Sequence, residues 1–174
     1  GAPPSEAAIQ LRAQGVATAQ GLQQTPSLGF VSHLAQNATG SAPYSLALSF
    51  RRGVPELQVN TTLQGMALDL PAPLGKTADA QQPLRYEQMV ARESLVPVAA
   101  GATPPPLRDQ VTLDLGSIGS ATYLRDLAGA QPRVLRGWMG VGLPAGESAP
   151  VVAEGVAANI RLGRVDVDAW ERLL

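Results

Sequence analysis

An alternation in the middle of the chain limits its fold more than any other feature. Tyr44, Leu46, Leu48 and Phe50 are spaced by Ser45, Ala47 and Ser49, and the pattern resumes with Leu57, Val59, Thr61 and Leu63. Apolar side chains recurring at every second residue share one face only on an extended strand; a helix would scatter them around its axis. Between the two runs stands Arg51-Arg52-Gly53-Val54-Pro55, a short turn with a glycine, so the pair predicts an antiparallel hairpin with one apolar face.

The same reading extends to both sides. Ala8 to Ala13 is a candidate first strand, and later candidates are Leu84 to Arg92, Gln110 to Gly116, Ile118 to Leu127, Arg133 to Val141 and Val152 to Leu162. Turn signals such as Thr103-Pro104-Pro105-Pro106 and Gly142-Leu143-Pro144-Ala145-Gly146 separate them. Two segments read as helices. Leu22, Leu28, Phe30, Val31 and Leu34 mark one short amphipathic helix between Gly21 and Gly40, following Pro26. Asp168-Ala169-Trp170-Glu171 has the spacing of a capping box, with Asp168 as the cap and Trp170 anchoring the helix to the sheet. The expected fold is mainly β: one domain over 1–174, a curved, largely antiparallel sheet forming a groove or open sandwich, with one or two short helices.

Between Leu63 and Leu84 the chain runs into Leu70-Pro71-Ala72-Pro73-Leu74-Gly75-Lys76. Pro71 and Pro73 have no amide proton and a fixed φ, so neither can sit inside a ladder, and the chain is expected to leave the sheet edge there in an extended, stiff crossing. Gly75-Lys76-Thr77 imitates the end of a phosphate-binding loop. The first glycine of that loop would fall at Leu70, and the prolines remove the amides that would cradle a phosphate.

The rest of the composition narrows the chemistry. Thirteen Lys and Arg against fourteen Asp and Glu, with no long run of either sign, give no phosphate-tracking surface, so nucleic acid is not an expected partner. The absence of Cys removes thiolate zinc sites, disulfides and thiol redox chemistry. The longest apolar stretch, Leu95 to Ala102, is far short of the ~20 residues of a spanning helix. His33 is the single histidine, so a triad, a two-histidine metal site or a proton relay would have to use it alone, and no chemistry is assigned to it. Gly146-Glu147-Ser148-Ala149-Pro150 departs from a nucleophile elbow at its last residue, where proline replaces glycine. Asp166 and Asp168 are too few for a calcium site, which takes about six to eight oxygens. The Asn37 and Asn60 sequons are short enough to arise by chance. No catalytic constellation, metal or cofactor is expected, and the sheet's apolar face must be covered by a second layer, a neighbouring repeat or a ligand.

Two blocks of the chain resemble a known family. Gly40-Ser41-Ala42-Pro43-Tyr44, the alternating hairpin, and the run from Leu63 through Leu70, Pro71, Pro73, Leu74 and Lys76 to Pro83-Leu84 are similar to the central region of the YhdP family, large AsmA-like proteins of Gram-negative bacteria. Val165-Asp166-Val167-Asp168-Ala169-Trp170 resembles a second element following in the same order. The resemblance implies an excised segment of a longer periplasmic protein anchored by an inner-membrane helix outside these residues. It implies a role in phospholipid transport to the outer membrane and in its permeability barrier, through a β-lined apolar groove and without catalysis. Tyr44, Leu46, Leu48, Phe50, Leu57, Val59 and Leu63 would then supply groove wall or core. The implied partners are phospholipid acyl chains and adjacent repeats of the same protein. The alternative is a closed β module acting as a binding or spacer element toward envelope proteins or peptidoglycan.

Overall fold

A computed structural model of the chain describes residues 10–26, 30–144, 146–148 and 150–172. It is mainly β, a nine-stranded and mostly antiparallel sheet that does not close on itself. The strands are β1 (Leu11–Thr18), β2 (Ala38–Arg51), β3 (Val54–Thr61), β4 (Met66–Leu68), β5 (Leu84–Val90), β6 (Arg108–Asp114), β7 (Gly119–Asp126), β8 (Arg133–Val141) and β9 (Gly155–Ile160). Eight lie side by side in the order β1-β2-β3-β5-β6-β7-β8-β9, and β4 pairs with the start of β2. All the pairings are antiparallel except the last, where β9 runs parallel to β8.

The hairpin foreseen from the alternation is present, with a tighter turn. Arg51 pairs with Val54, leaving only Arg52 and Gly53 in the loop, both at positive φ (51° and 76°). That is the two-residue turn whose twist matches the strands it joins, and its second position suits glycine. Val54 and Pro55 therefore belong to β3. β2 is longer than the Tyr44 to Phe50 alternation, because β1 and β4 pair with its first half. Beyond Thr61 the β3 ladder stops, and the Thr61 hydroxyl donates to the Pro43 carbonyl at 2.7 Å. β1 lies at Leu11–Thr18 instead of Ala8 to Ala13, whose first residues fall outside those described.

The helical segments differ from expectation in number. Among the described residues three helices of five residues each are found: α1 (Ala19–Gln23), α2 (Phe30–Leu34) and α3 (Val167–Glu171). The single helix foreseen between Gly21 and Gly40 is divided because Pro26 disfavours helical backbone at Thr25, and α1 stops before it. Thr18 caps α1, its Oγ1 accepting from the Gly21 amide at 3.0 Å. Leu28 and the side chains of Phe30 and Val31 lie outside the described residues.

Strand ends define two ends of the sheet. At the end holding Thr18, Ala38, Thr61 and Val141, a small core gathers Ala19, Ala38, Ala42 and Met66, with Leu22, Leu63 and Leu68 against it. Leu63 is thus a core residue beyond β3, at φ 52°, and does not continue the strand's apolar row. The Pro71-Ala72-Pro73 segment is also not an extended crossing. Leu68 and Lys76 exchange both backbone hydrogen bonds (2.9 and 3.0 Å), and the Leu74 amide donates to the Pro71 carbonyl at 3.1 Å, so the knuckle is a compact loop closed at its neck. Gly75 is required there, because a Cβ at that position would lie 2.2 Å from the Leu70 carbonyl oxygen.

Candidate functional site

The register divides the sheet into two chemically different faces. Directly opposed residues of an antiparallel pair point the same way, so Leu48 with Leu11 and Leu57, and Leu46 with Ala13 and Val59, form rows on one face. The second row continues through Tyr86, Leu113, Ala121 and Met139 to Ala158, and the first through Gln88, Val111, Tyr123 and Gly137 to Val156. The opposite face carries Gln14, Ser45 and Asn60 in one row, and Glu87, Thr112 and Thr122 in another. Tyr44, Leu46, Leu48, Phe50, Leu57 and Val59 all lie on the aliphatic face.

That face is largely uncovered. Tyr44, Leu46, Leu48, Leu57 and Val59 are only half-buried, and Phe50 is 48% exposed. Near the sheet's two edges the exposure is greater, 54% at Leu11 and 56% at Val156. Full burial of one such side chain contributes about 1.5–3 kcal/mol, so a row left half-open holds back a substantial part of that. No second sheet packs on it among the described residues.

Two tyrosines are laid flat on this face by the glycines opposite them. Tyr44 is paired with Gly15 and Tyr123 with Gly137. A Cβ on Gly15 would meet the Tyr44 ring at 2.9–3.0 Å, and one on Gly137 would meet the Tyr123 ring at 2.5 Å. Each ring therefore occupies the space of the absent side chain, a cross-strand arrangement that keeps the face apolar without raising a ridge on it.

The knuckle and α3 cover one end of the face together. Trp170 Nε1 donates to the Ala72 carbonyl at 3.3 Å, joining segments 98 residues apart. Between Trp170, Pro73 and Leu74 on one side and Leu113, Ala121, Met139 and Val141 on the other lies an apolar cleft of about 210 Å³. Leu70 and Pro71 form the near limb of the same loop, half-buried. Trp170 is therefore tied to the knuckle, and it faces the sheet across this cleft instead of being bonded to a strand. The cap of α3 is different: Asp166, not Asp168, accepts from the Ala169 amide at 3.0 Å, and Asp168 sits in the first helical turn.

Lys76 proves to be part of the loop's framework. Its ammonium donates to the carbonyls of Leu63 (2.9 Å), Thr77 (2.8 Å) and Met66, tying the knuckle's neck to the end of β3 and to β4. Burial holds its pKa below the ordinary lysine value, against the pull of Asp79.

One charged pair interrupts the aliphatic face at the other end. Asp109 is fully buried, and Arg125 donates to both its carboxylate oxygens, from Nε at 2.9 Å and Nη2 at 2.7 Å. That bidentate hydrogen bond raises the arginine's pKa further. Tyr86 stands nearby, its hydroxyl 3.3 Å from Gln88 Oε1, and burial raises its pKa while Arg125 opposes the shift. Sequence reasoning passed over this cluster, though Asp109 and Arg125 are a directly opposed pair on the two arms of the β6–β7 hairpin. Among the described residues no three His, Asp or Glu side chains gather as a metal site, and no helix is long and apolar enough to cross a membrane. Comparison with protein-family models, with curated proteins and with solved structures finds no match to this chain.

Proposed function

We propose that the aliphatic face accommodates phospholipid acyl chains, and that the chain is a non-enzymatic segment of a periplasmic AsmA-like envelope protein serving phospholipid transport to the outer membrane. One observation carries this reading: a sheet eight strands wide gathers most of its aliphatic residues on one face and leaves that face half-open, while the other is mostly polar, with Met89, Leu124 and Trp138 among the exceptions. Acyl chains need contact without direction, which such a surface offers, and no polar constellation is required to hold them. The order of the knuckle and the Asp166–Trp170 element, which resembles that of the YhdP family, supports the placement in the envelope. Adjacent repeats of the same protein are the natural neighbours of the two open sheet edges.

The test is native mass spectrometry of the gently purified chain, with photocrosslinking from Leu46 and Val59. Bound phospholipid and lipid adducts at both positions are expected, and Leu46→Asp, which puts a charge in the middle of the face, should abolish the bound phospholipid and the adduct at Val59. Absence of lipid by both measurements overturns the reading; a protein captured at Leu46 and Val59 instead would favour a binding or spacer module.

A further inference from the structure

The aliphatic face has different chemistry at its two ends, and a lipid seated on it has different chemistry at its own. Resting on the lipid reading above, we infer that a phospholipid lies along the strands with its acyl methyl end in the Trp170 cleft and its phosphate at Arg125. Among the described residues, the charged pair Asp109–Arg125 is the only one that the strand register puts on this face; every other row, from β1 to β9, is uncharged.

Arg125 has donors to spare. A guanidinium carries five N–H groups, and Arg125 directs two at Asp109, with no further acceptor among the described residues. Asp109 is wholly buried, whereas the arginine side chain is 24% exposed, so the pair presents its cationic partner outward. A phosphate oxygen is the acceptor that a planar guanidinium edge suits best. Beside it, Tyr86 and Gln88 add polar groups on the same face.

The opposite end offers nothing to a headgroup. The cleft beside Trp170 is walled by Pro73 and Leu74 of the knuckle and by Leu113 and Met139 of the sheet. From Asp109 to Leu113 is four residues of β6, or about 13 Å at about 3.3 Å per residue. One bilayer leaflet has a hydrocarbon depth of about 15 Å, half of the ~30 Å core. An acyl chain with its phosphate at Arg125 thus reaches the cleft.

Two photoactivatable phosphatidylglycerols test this with the full chain, one with a diazirine at the acyl terminus and one with it on the headgroup. The acyl probe is expected to label Leu74, Met139 or Trp170, and the headgroup probe residues around Tyr86 and Arg125. The paired change Arg125→Gln with Asp109→Asn leaves no unpaired charge; it should weaken phosphatidylglycerol binding about tenfold while leaving diacylglycerol binding unchanged. Trp170→Ala should scatter the acyl label and leave the headgroup label in place. Reversed or evenly spread labels, or equal loss of both lipids in the double variant, overturn the orientation and leave the lipid reading standing. No labelling by either probe above a water-soluble diazirine control overturns the lipid reading itself.

Discussion

At the scale of single residues, the smoothness of the aliphatic face depends on glycines opposite tyrosines. Gly137→Ala would put a methyl group where the Tyr123 ring lies, and the ring or the strand must move. The expected loss is about 1–3 kcal/mol, the usual range for overpacking, read from urea unfolding. Gly129→Ala, whose added Cβ would meet only the Gln131 carbonyl oxygen at an ordinary 3.6 Å, is the control and should change stability by less than about 0.5 kcal/mol. Neither glycine partner announces itself in sequence, because a tyrosine chooses its neighbour through register and not through spacing. Lys76 was opaque for a related reason: a lysine beside a turn reads as solvated, and only the folded loop brings three carbonyls within its reach. Leu63 follows the period of Leu57 and Val59 in sequence but leaves the strand in space, since the left-handed turn at that residue redirects it into the small core.

At the scale of elements, strands were far more legible than helices. Arg133 to Val141 was placed to the residue, and Leu84 to Arg92 and Gln110 to Gly116 within two. Period-2 patterns bounded by proline and glycine carry that information locally. Helices of five residues carry little, because a single turn has no period to recognise. The α3 cap shows the cost: Asp168 and Glu171 match the capping-box spacing, yet the helix begins two residues earlier and Asp166 accepts the bond. Asp166→Ala should therefore cost about 1 kcal/mol and loosen α3, while Asp168→Ala should cost only a few tenths through the helix dipole. Trp170 emission, isolated in a Trp138→Phe background, reports it: Asp166→Ala shifts the emission toward that of solvent-exposed indole, and Asp168→Ala leaves it near the parent.

At the scale of the whole molecule, the sheet stands as a single layer with its apolar side half-open, so stability depends on what lies against it. A ligand that binds only the folded state adds RT ln(1 + [L]/Kd), about 2.7 kcal/mol at a hundred times Kd. Short-chain phospholipid below its micellar concentration should accordingly raise the unfolding midpoint in a dose-dependent way, measured by calorimetry, and Leu46→Asp should remove the rise. An unchanged midpoint in both proteins would mean that the face takes no lipid monomer. The division into two faces was legible only in part: the β2 and β3 rows follow from alternation, whereas the rows on β6 to β9 interleave Asp109, Gly137 and Arg125 with aliphatics and become a face only when registers are known.

The parallel pairing of β9 settles a question of parity. β8 ends at Val141, on the side where the knuckle sits, so an antiparallel ninth strand would finish on the opposite side. By returning first and then running with β8, the chain brings Ile160 level with Val141. Only six residues then separate it from α3, and the indole arrives above Ala72. One reversal of strand sense at the sheet's edge is what allows two segments almost a hundred residues apart to form a single lid.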